Sequence, residues 1–170
     1  ALDEKAMEKA QMQIDNLTKP PKSLGKLEKI AVQIAGITGE PTPTIDNGRV
    51  VLFAGDHGVV ADGVSAFPQE VTVSMVLNFL NGGAAINVFA GQANASIRLV
   101  DIGMKGTLDH PHLLQRKIKK GTDNFCLGPA MAKSEAIEAL EVGISLAREA
   151  QEQGVDLLAT GEMGIGNTTA

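Results

Sequence analysis

The sequence has no tryptophan and no tyrosine, only five phenylalanines, and a single cysteine, Cys126, among its 170 residues. So few aromatic rings leave little surface on which nucleic-acid bases could stack. A net charge of −5 also disfavours a surface that binds nucleic acid or an anionic membrane. One cysteine excludes an internal disulfide and a cysteine metal cluster.

The sequence indicates no apolar run long enough to span a membrane, and no signal-peptide pattern opens the chain. The proportion of hydrophobic residues, 44 %, is typical of a globular domain with its own core. We therefore expect a cytoplasmic protein that binds neither membranes nor nucleic acid.

Short apolar runs alternate with helical patterns from residue 49 onward. The predicted strands are Val50–Ala54, Ser96–Asp101 and Val155–Thr160, with a weaker candidate near 115–118. The predicted helices are 68–80, 84–93 and 133–153. This alternation predicts an α/β fold, with a Rossmann-like parallel sheet and flanking helices.

An N-terminal helical subdomain precedes this pattern. Residues 3–17 and 24–35 predict amphipathic helices, with Ser23 as the cap of the second and Gly36 after its end. We predict a helical segment of a small domain at 1–39, a linker at 40–48, and the amino-terminal part of a truncated α/β domain at 49–170. The two helices have no evident partner for their apolar stripes, so we expect a helix from outside the segment or a second subunit to cover them.

Each clear strand is followed by a loop that contains glycine. These loops are Gly55-Asp56-His57-Gly58-Val59, Asp101-Ile102-Gly103-Met104 and residues 161–169. Because ligands of open α/β sheets bind outside the carboxyl ends of the strands, we expect one pocket along this edge.

The last loop, Gly161-Glu162-Met163-Gly164-Ile165-Gly166-Asn167-Thr168-Thr169, is the most informative stretch. Its glycines permit a sharp turn, and its last three residues favour the start of a helix. A strand, a glycine-rich turn and a helix start predict an anion site. Glu162 would repel an anion, which suggests a hydroxyl, a ring N–H or a cationic centre nearby. The alternative is a plain connection with Glu162 in water.

Other polar residues permit several interpretations. Asp56 and His57 could form an acid–base pair or bind a metal, but a structural aspartate beside an ordinary histidine is the more common case, and no cluster completes a metal site. Arg116, Lys117, Lys119 and Lys120 could be a solvated face or could steer phosphate. We expect the Met75 and Met131 side chains to lie in the core or in the wall of a pocket, since methionine fills irregular gaps.

Four motifs occur in order along the chain: Pro20 to Glu28 (PPKSLGKLE), Gly55 to Val59 (GDHGV), Pro68 to Thr72 (PQEVT) and Gly161 to Thr169 (GEMGIGNTT). Together they resemble the nicotinate-nucleotide–dimethylbenzimidazole phosphoribosyltransferase family, a family of cobalamin biosynthesis. Members are about twice as long as this chain, so the resemblance covers their amino-terminal half. It implies a Rossmann-like sheet, a small helical domain built from both chain ends, and a homodimer.

The resemblance implies transfer of phosphoribosyl from nicotinate mononucleotide to 5,6-dimethylbenzimidazole, which gives α-ribazole 5′-phosphate and nicotinate, with no cofactor and no metal. It implies that Glu162 stabilises the transition state, while the general base belongs to the other half. We expect the segment alone to be inactive. Phe67 departs from the polar residue that is typical before the PQEVT motif, which leaves the acceptor base open. The implied substrate-binding residues are Asp56, His57, Phe67, Met75, Gly161, Met163, Gly164, Gly166, Asn167 and Thr168.

Rival interpretations remain at this point. A dehydrogenase would need Gly-x-Gly-x-x-Gly after the first strand, where this chain has Gly55-Asp56-His57-Gly58. A nucleotide hydrolase could use the same sheet edge. The non-catalytic alternative is a truncated nucleotide- or anion-binding α/β module, because we expect the chain to be a fragment of a longer protein.

Overall fold

The computed structural model describes residues 1–170, which form two compact units, Ala1–Ile45 and Asp46–Ala170. The first unit contains helices α1 (Glu4–Asp15) and α2 (Lys26–Thr38). The second contains strands β1 (Gly48–Gly55), β2 (Ala95–Gly103), β3 (Leu113–Gln115) and β4 (Leu157–Met163). Its helices are a 3-10 helix (Gly58–Asp62), α3 (Val71–Leu80), α4 (Ala85–Gln92) and α5 (Lys133–Glu152).

Helices α1 and α2 pack on each other through small residues. The buried contact residues are Ala6, Ala10, Ala35 and Gly36. A Cβ atom on Gly36 would lie 2.6 Å from the Sδ atom of Met7, so a larger residue would force the Met7 side chain to move. Larger apolar side chains of both predicted stripes, including Leu17 and Leu27, remain exposed. What covers them, and the assignment of 1–39 to a small domain, stay predictions.

Two expectations for α2 are wrong. The helix begins after Gly25 rather than at a Ser23 cap, because Gly25 has a φ of +57°, outside the right-handed helical region. The Leu24 N–H donates to the Glu28 carboxylate at 3.2 Å. Gly36 lies inside the helix, which ends at Gly39 in the left-handed conformation. Gly36 packs closely against Met7, and Gly39 adopts the left-handed conformation that commonly ends a helix.

Glu28 should make the stability of the helical unit sensitive to acid. Its carboxylate accepts a hydrogen bond from Lys19 Nζ at 2.7 Å, and this bond holds the pKa of Glu28 below its ordinary value of 4.5. A lowered carboxyl pKa stabilises the fold above the unfolded pKa, and this stabilisation is lost as the pH falls through the folded pKa. We expect Glu28→Gln to lower the melting temperature more at pH 7 than at pH 3.

Circular-dichroism melts of the whole chain between pH 3 and pH 7 measure this difference. Glu8→Gln is the matched control, because Glu8 is an exposed residue of the neighbouring helix α1. A difference between wild type and Glu28→Gln that stays constant across this pH range would contradict the prediction.

The second unit is built on a four-stranded parallel sheet in the order β3-β2-β1-β4. The central strand β1 pairs with β2 from Gly48 opposite Ala95, and with β4 from Gly48 opposite Leu157. The predicted parallel α/β sheet is therefore confirmed, and the weak strand candidate near 115–118 is observed slightly earlier, as β3.

Alternate residues of the strands supply two cores, one on each face of the sheet. Leu52 and Leu99 pack with Val76 and Phe79 of α3. On the other face, Val51 and Val100 pack with Leu146 of α5. The sheet therefore has helices on both faces, as a parallel sheet requires.

The end of β4 differs from the sequence-based expectation. The strand begins at Leu157 and continues through Gly161, Glu162 and Met163, which the sequence pattern assigns to a glycine-rich turn. These three residues pair with Leu52, Phe53 and Ala54 of β1, so the longer partner strand extends β4. Residues 165–169 form hydrogen-bonded turns, and the Ala170 N–H donates to the Gly166 carbonyl at 3.3 Å, so the predicted helix start at 167–169 stays a prediction.

One apolar stretch is longer than the expectation from the sequence, which was that no apolar run reaches the length of a membrane span. The 22 residues Val71–Gln92 have a mean hydropathy of 1.4 in their best window, enough in length and composition to cross a membrane. In the structure they form two helices, α3 and α4, which are separated by a turn at Gly82 and Gly83. The expectation that no stretch reaches span length is therefore wrong, although the glycine break was predicted.

Candidate active site

A cleft of 520 Å³ lies at the carboxyl edge of the sheet, where the loops after β1, β2 and β4 meet. This is the edge that the sequence predicted for a ligand. The cleft is lined by Phe53, Gly55, Asp56, His57, Ile102, Gly103, Ile118, Lys119, Gly121, Thr122, Met131, Ala139, Glu162, Met163, Asn167 and Thr168.

Glu162 projects from β4 at the cleft, in register with Phe53 of β1. Because the strand continues through this residue, its backbone is held by the sheet rather than by a loop. The side chain is exposed, and no hydrogen bond or ion pair within the chain engages its carboxylate. Glu162 is therefore a negative charge on a rigid support, available to a ligand.

The turns after β4 close the cleft beside Glu162. The Asn167 N–H donates to the carbonyl of Gly164 at 3.1 Å, and the Thr169 N–H donates to that of Gly166, also at 3.1 Å. Gly166 has a φ of +86°, a conformation that only glycine adopts freely. Its neighbours Asn167 and Thr168 line the cleft, so the turn presents amide and hydroxyl groups to a ligand.

Gly164 allows the β4 turn to touch the end of β1. A Cβ atom at this position would overlap the carbonyl oxygen of Gly55 and lie 3.3 Å from the His57 ring. We expect Gly164→Ala to destabilise the protein by about 1–3 kcal/mol, since a backbone oxygen cannot move aside as a flexible side chain can. Chemical denaturation measures this loss.

Gly128→Ala is the matched control for Gly164→Ala. Nothing lies within 4 Å of a Cβ atom at Gly128, and its backbone is not left-handed. Equal stability of the two alanine variants would contradict the close approach of the two loops.

The lining of the cleft also contains an apolar wall. It consists of Phe53, Ile102, Ile118, Met131 and Ala139. The apolar wall suits a flat apolar ring, and the polar turn suits charged or hydroxylated groups. Such a division is typical of small-molecule sites.

Lys119 is the cation on the cleft wall. Its Nζ atom lies 2.7 Å from Asp123 and 3.5 Å from Glu135. The hydrogen bond to Asp123 is the main reason that the pKa of Lys119 lies above its ordinary value. Lys119 thus brings positive charge to the wall, and two carboxylates fix where that charge lies.

The basic run 116–120 does not form one charged face. Lys117 turns inward, where its Nζ atom lies 2.9 Å from Asp101 Oδ2 and also donates to the carbonyls of Met104 and Gly106. Asp101 is fully buried, and its other oxygen accepts from the N–H groups of Gly103 and Met104. The ion pair and its hydrogen bonds therefore hold the backbone of the loop after β2.

Most predicted site residues meet at the cleft, but three lie elsewhere. The residues on its lining are Asp56, His57, Glu162, Met163, Asn167 and Thr168, and Gly164 and Gly166 shape the adjoining turn. Phe67 is 63 % exposed, Met75 of α3 packs against the core, and a side chain at Gly161 would meet Leu52 and Ile86. No ligand contact tests any of these residues, so their roles stay predictions.

Part of the wall was not predicted from the sequence. Ile118, Gly121 and Thr122 come from residues 106–132, where the pattern predicted only a weak strand, and Lys119 was considered only as part of a basic cluster. The available signal was Gly121, whose φ of +80° marks a turn against the Asp56 carbonyl. No group of three or more His, Cys, Asp or Glu side chains is placed to hold a metal ion.

Comparison with known proteins gives a consistent result over the whole chain. A family model described as "Phosphoribosyltransferase" matches residues 1–170. The nicotinate-nucleotide–dimethylbenzimidazole phosphoribosyltransferase of Halalkalibacterium halodurans is 53 % identical over 169 residues, which are 99 % of this chain and 47 % of that protein. The same enzyme of Thermus thermophilus is 52 % identical over 170 residues, 99 % of this chain and 51 % of that protein.

The fold agrees with a solved structure of a relative. The crystal structure of the Thermus thermophilus enzyme matches with a TM-score of 0.93 at 52 % identity, over 99 % of this chain and 51 % of that one. The chain thus spans about half the length of the curated relatives it matches. Since the family model covers every residue, the chain belongs to the nicotinate-nucleotide–dimethylbenzimidazole phosphoribosyltransferase family.

Proposed function

We propose that the complete protein carrying this chain transfers phosphoribosyl from nicotinate mononucleotide to 5,6-dimethylbenzimidazole, in the synthesis of the lower ligand of cobalamin. The observation that carries the proposal is Glu162, an unpaired carboxylate on a strand, at a cleft lined by both an apolar wall and a glycine turn. Relatives of this chain are named for that reaction.

The mononucleotide has three parts that this cleft can recognise. Its phosphate suits the turn at Gly164–Thr168, which offers the Gly166 N–H group and the polar side chains of Asn167 and Thr168, since glycine-rich turns bind anions. Its ribose then lies beside Glu162, whose carboxylate can accept hydrogen bonds from hydroxyl groups. We propose substrate contacts for His57, Met163, Asn167 and Thr168 on the same grounds.

The reaction is a displacement at the anomeric carbon. A ring nitrogen of the benzimidazole forms the new bond to this carbon, while the bond to the nicotinate nitrogen breaks and nicotinate keeps the electron pair. The benzimidazole N–H proton goes to a general base. No reactant is oxidised or reduced, so the reaction requires no redox cofactor.

Glu162 stabilises the transition state most, when the breaking bond to nicotinate and the forming bond to benzimidazole are both weak. The anomeric carbon and ring oxygen of ribose then carry positive charge, and a nearby fixed carboxylate stabilises that charge. The benzimidazole has an apolar fused ring, for which Ile102, Ile118 and Met131 supply a matching wall. Phe67 and Met75 lie outside the cleft lining in this half, and we propose them as contacts only for the complete protein.

The complete site needs more than these 170 residues. No group in the cleft is proposed as the general base, so we assign that base to the half of the relatives' length that this chain does not cover. We propose that the complete enzyme is a cytoplasmic homodimer and that residues 1–170 alone are inactive.

Product analysis tests the proposed function. The complete protein is incubated with nicotinate mononucleotide and 5,6-dimethylbenzimidazole, and nicotinate and α-ribazole 5′-phosphate are measured by chromatography and mass spectrometry. We expect both products in equal amounts, and neither product when 5,6-dimethylbenzimidazole is left out. Binding of the mononucleotide without product would instead favour the non-catalytic module, and product from residues 1–170 alone would place the general base in this half.

A further inference from the structure

Asp56 is buried at the end of β1, and every polar group it has is engaged. Only 2 % of its surface is exposed. Its N–H donates to the Gly103 carbonyl at 3.0 Å, and its carbonyl accepts from the Thr122 N–H at 2.9 Å. Its Oδ2 atom accepts from the Lys105 N–H at 2.7 Å, and its Oδ1 atom accepts from the Thr72 hydroxyl at 2.6 Å. This carboxylate has little freedom to take a proton from a substrate.

Thr72 continues the chain of hydrogen bonds to the turn after β4. It lies in the first turn of α3 and is fully buried. A carboxylate oxygen can only accept, so the Thr72 hydroxyl must donate its single proton to Asp56. The hydroxyl oxygen is then free to accept, and the Ile165 N–H donates to it at 3.1 Å.

We propose that Asp56 is a positioning residue, which acts through the Thr72 hydroxyl to fix the Ile165 amide and thereby the turn at Gly164–Asn167. The direction of the relay is set by chemistry, from a charged acceptor through a hydroxyl to an amide donor. What the fixed turn binds rests on the proposed function, but the relay itself does not.

The Thr72 hydroxyl supplies the hydrogen bond that ties the backbone of this turn to another element, in addition to the packing of Gly164 against Gly55. The other hydrogen bonds of its backbone are local, between Gly164 and Asn167 and between Gly166 and Thr169 or Ala170. A turn held only by local bonds would sample other conformations and would lose entropy when a ligand binds. The relay removes that cost beforehand by tying the turn to α3 and β1.

Three substitutions at one position isolate the relay. Thr72→Val keeps the shape but has no hydroxyl, Thr72→Ser keeps the hydroxyl, and Thr72→Ala serves if the buried valine prevents folding. Ser74→Ala is the matched control, because it removes an exposed hydroxyl from the same helix without touching the relay. All four are made in the complete protein, and circular dichroism verifies that each is folded.

Hydrogen exchange measured by mass spectrometry reports on the relay without any substrate. In peptides that contain Ile165, we expect exchange about tenfold faster in Thr72→Val or Thr72→Ala, as one amide hydrogen bond is lost. Thr72→Ser and Ser74→Ala should exchange like wild type. Unchanged exchange in the folded valine or alanine variant, or equal acceleration in peptides of β2, would overturn the inference.

Kinetics test whether the fixed turn serves the substrate. We expect Thr72→Val to raise KM for nicotinate mononucleotide about tenfold with a smaller change in kcat, and Thr72→Ser to restore it, since a pre-ordered turn lowers the cost of binding. Faster exchange with unchanged kinetics would overturn the positioning role. If the wild-type protein forms no product, the proposed function fails, and the exchange experiment alone decides on the relay.

Discussion

Glu162→Gln should lower kcat of the complete enzyme about 100-fold, with a much smaller change in KM for nicotinate mononucleotide. Glutamine has the same shape and can still bond to ribose hydroxyls, so ground-state binding changes little. The lost negative charge matters only when positive charge develops on the sugar, which is a transition-state interaction. Each tenfold of rate corresponds to about 1.4 kcal/mol of that stabilisation.

The split between kcat and KM is the informative part of this result, because a loss confined to the transition state lowers kcat and kcat/KM together. Glu138→Gln is the matched control, an exposed glutamate on α5 outside the cleft lining. Wild-type kinetics in Glu162→Gln would remove Glu162 from the mechanism. A rise in KM alone would reduce its role to ground-state binding.

Lys117→Met should produce the largest loss of stability, about 3–5 kcal/mol in the free energy of unfolding. The reason is Asp101, whose side chain is fully buried and has Lys117 Nζ 2.9 Å from its Oδ2 atom. Without lysine, a buried negative charge would have no cation beside it. The carbonyls of Met104 and Gly106 would lose their donor at the same time.

Urea denaturation measures this effect, with Lys120→Met as the matched control on the same segment. Lys120 is exposed and has no ion pair in the structure, so its loss should change stability by less than about 0.5 kcal/mol. The double variant Asp101→Asn with Lys117→Met should recover much of the loss, because it removes the buried charge as well. Equal stability of Lys117→Met and Lys120→Met would contradict the buried ion pair.

Periodicity was sufficient to predict the sheet, but not where β4 ends. The apolar runs at Val50–Ala54 and Ser96–Asp101 lie within β1 and β2, because a strand covered on both faces must be apolar throughout. Gly161 suggested a turn by its local preference. Pairing with the longer β1 outweighed that preference, so Glu162 stands on a strand.

The edge of the sheet could be predicted, whereas the detail of the cleft could not. Three glycine loops follow three parallel strands, and topology alone brings them together. The role of Asp56 depends on Thr72, sixteen residues away, and on Ile165 beyond another ninety-three, which no local pattern reveals. Met131 was predicted as core or pocket wall, but Ile118, Gly121 and Thr122 lie in a segment with no regular period that would place them at the cleft.

A crystal structure of the complete protein with nicotinate mononucleotide alone tests the central claim most directly. We expect the phosphate at the turn Gly164–Thr168, on the Gly166 N–H group and the side chains of Asn167 and Thr168, and the ribose within hydrogen-bond distance of Glu162, at the cleft beside β1 and β4. A mononucleotide bound away from this cleft, or with its ribose out of reach of the Glu162 carboxylate, would contradict it.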